Sequence, residues 1–512
     1  MMPYEYLNIA TARDLSGQDR LIYRFFEIIP GLLSWGTIAG AIIFSWLWPV
    51  GMAIFIIIFD IYWLIKTAYL SAHLRVNWQR LRHNLGADWK LKLENFKYGH
   101  IWQLVLLPMY REDQEVIEES LNKIMESKWP QERMIIVLAI EERAGEYART
   151  VAEDVQKKHA ARFAHFLVVS HPADMPGEIP GKGSNIAFAA RMVKEKIIDP
   201  AGIPHEDILV SAFDIDTQIY PQYFFCLTYH FLTADNPHRV SFQPVPVYNN
   251  NIWQVPALSR VVATSGTFWQ MMQQERPERL TTFSSHALSF KALEDIGYWQ
   301  KNMVSEDSRI FWKAFLRFDG NYGVVPLSYP ISLDANAGSN FWSTIKNVYK
   351  QQRRWTWGVE NLPYFMFGCL KNKKMPLGKK IRALLYQLEG FWSLTTNPLL
   401  IFILGWLPLF LGGQEFNEML LSYNLPRVTR TLMSIAMTGL IASAIISTNL
   451  LPSRPPRARK SSYLFMVLQW LLIPVTIIFF GAIPGLDAQT RLMFGKYMGF
   501  WVTPKGRQPK VG

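Results

Sequence analysis

Three short groups of polar residues carry the chemistry that this sequence offers. The first is Asp214-Ile-Asp216, directly after the apolar segment Ile208 to Phe213. If that segment is a strand, its alternation turns both carboxylates to the same side. Two such oxygen ligands suit a Mg²⁺ or Mn²⁺ ion that bridges a diphosphate. Aspartates with this spacing also end many strands as merely solvated groups, so the motif alone does not decide the matter.

The second group is Ser305-Glu306-Asp307, ahead of an amphipathic helix predicted from Arg309 to Phe318. Carboxylates at such a position are often ordinary helix caps. A carboxylate can also remove the proton of a hydroxyl that attacks opposite a departing group. We take Asp307, with its neighbour Glu306, as the candidate catalytic base.

The third group is Gln351-Gln-Arg-Arg354-Trp355. A guanidinium such as that of Arg354 can grip phosphate oxygens, and the indole of Trp355 offers a flat face to a ring-shaped ligand. The competing interpretation is a basic amphipathic helix on a membrane surface, which explains the arginines but not Gln351 or Trp355.

The elements that must position these residues lie between residues 100 and 355, where short strand-like segments alternate with polar helical ones. This alternation is typical of an α/β fold. We predict strands over Trp102 to Leu107, Met134 to Ile140, Phe166 to Ser170 and Ile208 to Phe213. Helices are predicted over Gln114 to Ser127 and Asn185 to Lys196. Open parallel sheets bind ligands at the carboxyl ends of their strands, so the site is expected there.

Long apolar runs flank this central part. Residues 28–47 and 50–70 each approach the ~20 residues that cross a bilayer as a helix, and Trp48-Pro49 separates them as in a hairpin. Three further runs cover 391–412, 431–451 and 463–484, after a predicted interfacial helix. Charged Asp60 and Lys66 in the second run either line a saccharide path or are satisfied locally, by a bundle partner and by snorkelling.

The net charge of +12 does not indicate a nucleic-acid binder, because the basic residues cluster beside the apolar runs. That distribution is the positive-inside pattern and predicts cytoplasmic flanks. The two cysteines, Cys226 and Cys369, have no metal-ligand spacing and exclude a disulfide framework, as expected in a reducing cytosol.

The three groups in this order, inside an α/β segment bracketed by apolar runs, resemble the membrane-integrated family 2 glycosyltransferases, which include bacterial cellulose synthase and hyaluronan synthase. The resemblance extends to Leu107-Pro-Met-Tyr-Arg-Glu112, to Pro180-Gly-Lys-Gly-Ser-Asn185 and to Phe283-Ser-Ser-His286. Phe500-Trp-Val-Thr-Pro-Lys505 is similar to the gating loop of cellulose synthases. Glu141 and Glu142 stand where many relatives have base-contacting aspartates.

This resemblance implies a Rossmann-like GT-A domain inserted between N- and C-terminal transmembrane helices, and an inverting transfer from a nucleotide-sugar, UDP by default. Asp214 and Asp216 would bind a divalent cation, Mg²⁺ or Mn²⁺. The implied acceptor contacts are Trp355, Ser285 and His286, although the residue type of His286 favours a polar core residue over a catalytic one. The implied nucleotide-sugar contacts are Pro108, Tyr110, Glu112, Glu141, Lys182, Asp214, Gln351, Arg354 and Thr503.

The resemblance implies a growing polysaccharide as acceptor, with export coupled to synthesis. The alternatives are the addition of one sugar to a lipid-linked acceptor, and a non-catalytic membrane scaffold or export component. The expected partners are therefore the donor, a saccharide or lipid-linked acceptor and the bilayer, without nucleic acid. We expect an integral protein of the inner membrane with its catalytic domain in the cytoplasm.

The predicted organisation has six parts. They are a cytoplasmic segment at 1–27, two transmembrane helices at 28–70, the glycosyltransferase domain at 71–370, an interfacial helix at 371–392, a transmembrane region at 393–486 and a cytoplasmic tail at 487–512. Three simple crossings would leave the tail outside, away from the nucleotide. Because the tail is basic and Pro474 interrupts the last run, we predict that the last run is broken or re-entrant, or that a neighbouring run is interfacial.

Overall fold

A computed structural model describes residues 4–452 and 462–502. The N-terminal helices are α1 (Gly17–Leu47), α2 (Pro49–Gly86) and α3 (Trp89–Leu93). Trp48 alone separates α1 from α2, as the hairpin prediction requires. A Cβ atom at Gly51 would lie 2.4 Å from the Trp48 ring, so only glycine lets the indole fold back onto α2.

The centre of the protein is a mixed eight-stranded sheet with the order β3-β2-β1-β4-β7-β6-β8-β5. Its strands are β1 (Trp102–Met109), β2 (Met134–Glu141), β3 (His165–His171), β4 (Ile208–Ala212), β5 (Gln218–Ile219), β6 (Val240–Tyr248), β7 (Ala287–Ser289) and β8 (Gly323–Leu333). The half formed by β3, β2, β1 and β4 is parallel. The fold is thus the predicted GT-A-like α/β domain, flanked by helices at both ends.

The parallel half contains the four strands that the sequence predicts. The helices packed against it are α4 (Gln114–Met125), α5 (Glu146–His159) and α6 (Lys182–Val193). Successive residues of β1 enter different cores: Leu104 and Leu106 lie in one hydrophobic cluster, and Val105 and Leu107 lie in the other. A strand covered on both faces has polar groups only at its ends, which leaves the carboxyl edge of the sheet for a site.

The other half of the sheet contains antiparallel pairs, with β7 between β4 and β6. Its helices are α7 (Tyr223–Thr233), α8 (Ala257–Gln274), α9 (Phe290–Asp295) and α10 (Glu306–Arg317). In β6 and β8, which pair in parallel, a register shift falls between Gln243 and Val245. Both strands contain prolines, which interrupt the regular apolar pattern by which a strand is predicted from sequence.

Nine helices follow the sheet in the described residues. They are α11 (Phe341–Thr356), α12 (Asn361–Lys371), α13 (Leu377–Phe402), α14 (Leu407–Leu411), α15 (Gly413–Asn417), α16 (Leu420–Asn449), α17 (Ser462–Leu468), α18 (Ile473–Ile477) and α19 (Ile483–Met493). Helix α13 runs without interruption through residue 392, where the predicted interfacial helix ends.

Within 4–452 and 462–502, four helices are long and apolar enough to cross a membrane by length and composition. They are Gly17–Leu47, Pro49–Gly86, Leu420–Asn449 and the run Tyr463–Met493. The pair Leu377–Phe402 and Leu404–Leu411, bent by 44°, would make a fifth span. This set of helices is consistent with a membrane protein.

The run from Tyr463 to Met493 contacts the α/β domain near both of its ends. Near the start, Trp470 stacks on Phe268 of α8 with ring centroids 5.3 Å apart. Near the other end, Asp487 accepts a hydrogen bond from Arg353 of α11 at 3.0 Å. The run also leaves α-helical geometry at Gln469–Leu472 and Ile478–Ala482. The residues that follow it therefore lie beside the α/β domain. That the tail returns to the cytoplasm stays a prediction.

The two charged residues of α2 have local partners. Asp60 accepts a hydrogen bond from Thr429 of α16 at 2.8 Å. Lys66 donates to Glu389 of α13 at 2.6 Å and lies 4.7 Å from the centre of the Trp63 ring. These contacts favour local pairing within the helix bundle over a saccharide path.

Candidate active site

The first two sequence motifs meet at the carboxyl edge of the sheet, around Lys182. Lys182 is the first residue of α6 and only 8% exposed. Its Nζ donates to Asp214 Oδ1 at 2.7 Å and to Asp307 Oδ2 at 3.1 Å. We call Lys182, Asp214 and Asp307 the Lys182 cluster. It joins the end of β4 to the starts of α6 and α10.

The loop before α6 is fixed by buried polar contacts. Glu178 accepts hydrogen bonds from Lys301 at 2.6 Å and pairs with His171, at the end of β3, at 2.9 Å. One turn into α6, Asn185 donates to the carbonyl of Ala139 in β2 at 2.6 Å. Lys182 is therefore held by the sheet itself.

The Lys182 cluster brings a cation and carboxylates together where little water reaches. Burial by itself lowers the pKa of Lys182, but the negative charges of Asp214 and Asp307 outweigh it and raise that pKa well above its usual value. Lys182 therefore stays an ammonium ion. An ammonium has three N–H donors, so Lys182 can bind a phosphate oxygen as well as Asp214 and Asp307.

Asp214 is the carboxylate of the cluster that faces the cleft most openly, with 30% of its side chain exposed. Its Oδ2 accepts a hydrogen bond from Ser284 Oγ at 2.5 Å, and its backbone N–H donates to Ser285 Oγ at 3.3 Å. Ser285 is fully buried with φ 63° and thus lies behind Asp214 rather than on an acceptor surface. Sequence reasoning selected Ser285 and missed Ser284, since nothing in a serine pair reveals which one faces the site.

Asp216 does not converge with Asp214 as the sequence predicted. It is fully buried, and its Oδ2 accepts the N–H of Asp334 just after β8 at 2.9 Å. Strand β4 ends at Ala212 and the chain then turns, so the alternation assumed for residues 214 and 216 no longer applies. This hydrogen bond connects the end of β8 to the turn that follows β4.

The carboxylate oxygens of this site fit a divalent cation in only one arrangement. In residues 4–452 and 462–502, no group of three His, Cys, Asp or Glu side chains could hold a metal ion. Asp214, however, presents one carboxylate to the cleft. Mg²⁺ is often held by one or two carboxylates together with substrate phosphates. A cation would therefore be held by Asp214 and the donor, not by two aspartates.

Asp307 and Glu306 have different environments although they are adjacent. Asp307 is 23% exposed, and its backbone carbonyl accepts a hydrogen bond from Thr282 at 2.6 Å. Glu306 is 2% exposed. Burial and then the charge of Asp307 raise the pKa of Glu306, against the opposing charges of Lys182 and Arg354. Asp307 is thus the one of the pair placed to meet a hydroxyl.

His286 lies beneath Asp307 and is fully buried. Its Nδ1 lies 3.0 Å from the carbonyl of Phe283, and its Nε2 accepts a hydrogen bond from the indole of Trp299 at 3.3 Å. Burial lowers the pKa of His286, against the charge of Asp307. His286 is thus placed as the polar core residue of the alternative interpretation, not as an acceptor contact.

One residue that sequence reasoning missed, Glu360, fixes the start of α10. Its Oε1 accepts hydrogen bonds from the backbone N–H of Ser305 at 3.0 Å and from Ser305 Oγ at 2.6 Å. Ser305 directly precedes Glu306 and Asp307. Glu360 follows Trp355 by five residues and lies far from Ser305 in the sequence. Only the folded structure shows that the two residues are hydrogen-bonded.

The third motif lies on α11. The ring of Trp355 packs against Tyr248 and Phe283, with centroids 5.8 and 5.7 Å away. Gln351, one turn earlier, lines the same small cavity as Trp355 and Tyr248. Phe283 precedes Ser284, the partner of Asp214, so the aromatic wall of Trp355 adjoins the Lys182 cluster.

Arg354 joins α11 to the tail. Its guanidinium lies 5.1 Å from the centre of the Phe500 ring, and Lys350 lies 5.2 Å from the ring of Trp501. A Cβ atom on Gly181 would stand 2.7 Å from Phe500, so that ring covers the residue just before Lys182. The tail thus reaches the site, while Thr503, the predicted gating residue, lies outside the described residues.

The approach of the tail is anchored on α1. Tyr497 donates to the buried carboxylate of Glu27 at 2.9 Å, and Arg13 lies 4.8 Å from the Tyr497 ring. Arg24 donates to the carbonyl of Leu492 at 2.8 Å. The N-terminal part of the chain therefore sets where the tail enters the site.

The other predicted donor contacts lie at the ends of β1 and β2. Pro108 of β1 pairs with Ala139 of β2. Arg143 donates to Glu141 at 2.6 and 3.1 Å, and its guanidinium lies 4.6 Å from the ring of Tyr110.

Glu112 is turned back toward the chain. Its Oε2 accepts the backbone N–H of Tyr110 at 2.7 Å, which fixes the turn after β1. Glu141 and the ring of Tyr110, both predicted donor contacts, are adjacent because each contacts Arg143. The sequence did not single out Arg143.

Comparison with known proteins agrees with this architecture. A family model described as glycosyl transferase family group 2 matches residues 209–482, more than half of the chain. The matched stretch begins in β4 and includes Asp214, Asp307 and the motif on α11. The mixed sheet is therefore the centre of a family 2 glycosyltransferase domain, and the chain belongs to glycosyl transferase family group 2. No curated protein sequence matches it.

Solved structures with a similar fold include two glycosyltransferase-type proteins in complex with nucleotide-sugars. A mannosyltransferase from Pyrobaculum calidifontis, in complex with GDP-Man and Mn²⁺, is 14% identical, with a TM-score of 0.43 over 77% of this chain and 99% of that chain. S. aureus TarS 1–349, in complex with UDP-GlcNAc, is 13% identical, with a TM-score of 0.35 over 68% of this chain and 91% of that chain.

Proposed function

We propose that the protein transfers a sugar from a UDP-sugar to the end of a growing polysaccharide, with inversion at the transferred carbon. The observation that carries the proposal is the Lys182 cluster, because it unites a buried cation for a diphosphate with an aspartate able to act as a base. The family 2 domain supports the reaction class. The spanning helices support an acceptor at a membrane.

The donor diphosphate would lie between Lys182 and Arg354, near the N-terminus of α6. A helix N-terminus carries partial positive charge and free N–H groups, which add to the attraction of the two cations. The nucleobase would lie beside Tyr110 and Glu141, and Gln351 would hold the leaving group. A divalent cation held by Asp214 would neutralise the charge that develops on the departing diphosphate.

Asp307 would remove the proton from the acceptor hydroxyl as that oxygen attacks the sugar from the face opposite the leaving nucleotide. The hydroxyl oxygen forms the new glycosidic bond, the bond between sugar and phosphate breaks, and its electron pair leaves with the nucleoside diphosphate. Trp355, backed by Tyr248 and Phe283, would present the acceptor sugar to Asp307.

The test is incorporation from a panel of radiolabelled UDP- and GDP-sugars by the purified protein in proteoliposomes. We expect one UDP-sugar to be incorporated into a ladder or polymer. A single added sugar on a lipid would instead support the non-processive alternative. If no nucleotide-sugar is consumed, the protein acts as a scaffold and the proposed function fails.

We also predict that metal and donor bind cooperatively through Asp214. Asp214→Ala should remove the increase in UDP-sugar affinity that Mg²⁺ or Mn²⁺ produces, measured by calorimetry without turnover, because that carboxylate faces the cleft. Asp216→Ala should lower stability, since Asp216 binds the N–H of Asp334. If chelator leaves both donor affinity and transfer unchanged, the metal role is wrong.

A further inference from the structure

A groove of about 470 Å³ lies between α11 and residues 479–483 of the last helical run. One wall is a single stripe of α11 that contains Trp342, Lys346, Lys350 and Arg353. The spacing of these residues, by four, four and three, places them on one face of a helix. Trp342 is 76% exposed at the head of this stripe. We call this hollow the α11 groove.

The opposite wall of the α11 groove is apolar and belongs to a segment able to span a membrane. Phe479 and Ile483 line it, and Phe479 is 54% exposed. The run from Tyr463 to Met493 has a mean hydropathy of 2.2 in its most apolar window. A water-filled groove with such a wall would leave apolar surface unburied.

The charges of the groove are unbalanced. Arg353 is neutralised by Asp487, which also accepts a hydrogen bond from Arg491. Among the ion pairs of the described residues, none includes Lys346 or Lys350. Lys350 lies 5.2 Å from the centre of the Trp501 ring, a contact that does not neutralise its charge. Two cations above an apolar wall complement a ligand that has a negative head and a hydrocarbon tail.

We propose that the α11 groove binds an anionic phospholipid of the surrounding membrane. Its phosphate would lie against Lys346 and Lys350, and its acyl chain against Phe479 and Ile483. The indole of Trp342 suits the interface between head groups and hydrocarbon. Since α11 also carries Arg354 and Trp355, such a lipid holds the helix of the third motif at the bilayer surface. The proposal for lipid binding does not depend on which reaction the active site performs.

The test is native mass spectrometry of the full-length protein in detergent, with equal amounts of phosphatidylglycerol and phosphatidylcholine of identical acyl chains. We expect preferential retention of phosphatidylglycerol. Lys346→Gln with Lys350→Gln should weaken it by on the order of tenfold, because each basic residue near anionic lipid adds favourable energy. Retention of phosphatidylcholine should not change.

The matched control is Lys128→Gln with Lys196→Gln, two exposed lysines of the α/β domain. This pair removes the same charge and should leave phosphatidylglycerol retention unchanged. Phe479→Ser, which keeps every cation, should also weaken retention. Equal retention of the two lipids, or an equal loss in the control pair, would overturn the proposal. So would displacement of the lipid by inorganic phosphate at the same concentration, since that would make the groove an ion site.

Discussion

Asp307→Asn is expected to lower sugar transfer by about a hundredfold or more while the affinity for the donor stays close to that of the wild type. Losing a general base typically costs ~10² to 10⁴ in rate. The donor site should persist because Lys182 keeps its shorter contact, at 2.7 Å to Asp214. Single-turnover rates and donor titrations measure the two quantities separately.

Asp154→Asn, on the exposed side of α5, is the matched control for Asp307→Asn, because it makes the same chemical change at a residue 51% exposed. Its transfer rate should equal that of the wild type. Turnover of Asp307→Asn within a few-fold of the wild type would remove Asp307 from the mechanism and move the search for a base to another group.

Lys182→Met is expected to have the second large effect, this time on both stability and donor binding. The change leaves the carboxylates of Asp214 and Asp307 near each other without their shared cation. Breaking a buried ion pair by removing one partner costs about 3–5 kcal/mol. The donor also loses a charge-assisted contact, so we expect its KM to rise and transfer to fall by roughly a hundredfold.

A double substitution separates the two effects of Lys182→Met. Adding Asp214→Asn to it removes one of the stranded charges and should restore much of the thermal stability, since residues in one ion-pair network are coupled. Donor binding, measured without a divalent cation so that Asp214 does not contribute through the metal, should stay low. If the double variant regains donor affinity as well, Lys182 holds the fold but does not bind the diphosphate.

The parallel half of the sheet could be predicted from the sequence because each of its strands contains at least three consecutive apolar residues. Met134–Glu141 is buried at every position, and such a strand needs no partner to be recognised. The half that contains β6 and β8 could not be predicted in this way. Its strands carry prolines, and their pairing depends on segments far away in the sequence.

The members of the candidate site were predictable as residue types, but not all of their orientations were. The order of the motifs selected Asp214 and Asp307, the family resemblance added Lys182, and these three residues meet in the fold. The pattern also placed Asp216 on the cleft, although the strand had ended four residues earlier at Ala212. The contact of Glu360 with Ser305 links two helices and has no local sequence signal.

The contact between Tyr497 and Glu27 joins residues 470 positions apart in the chain. A ribosome adds ~5–20 residues per second, so roughly half a minute to a minute and a half separates the synthesis of these two side chains. Throughout that interval Glu27 has its neighbours on α1 but not its tyrosine. The cleft at Gly181 likewise stays uncovered until Phe500 has been synthesised. The order of synthesis thus makes the cover of this site assemble after the α/β domain that it covers, and a chain released before Phe500 would carry an open site.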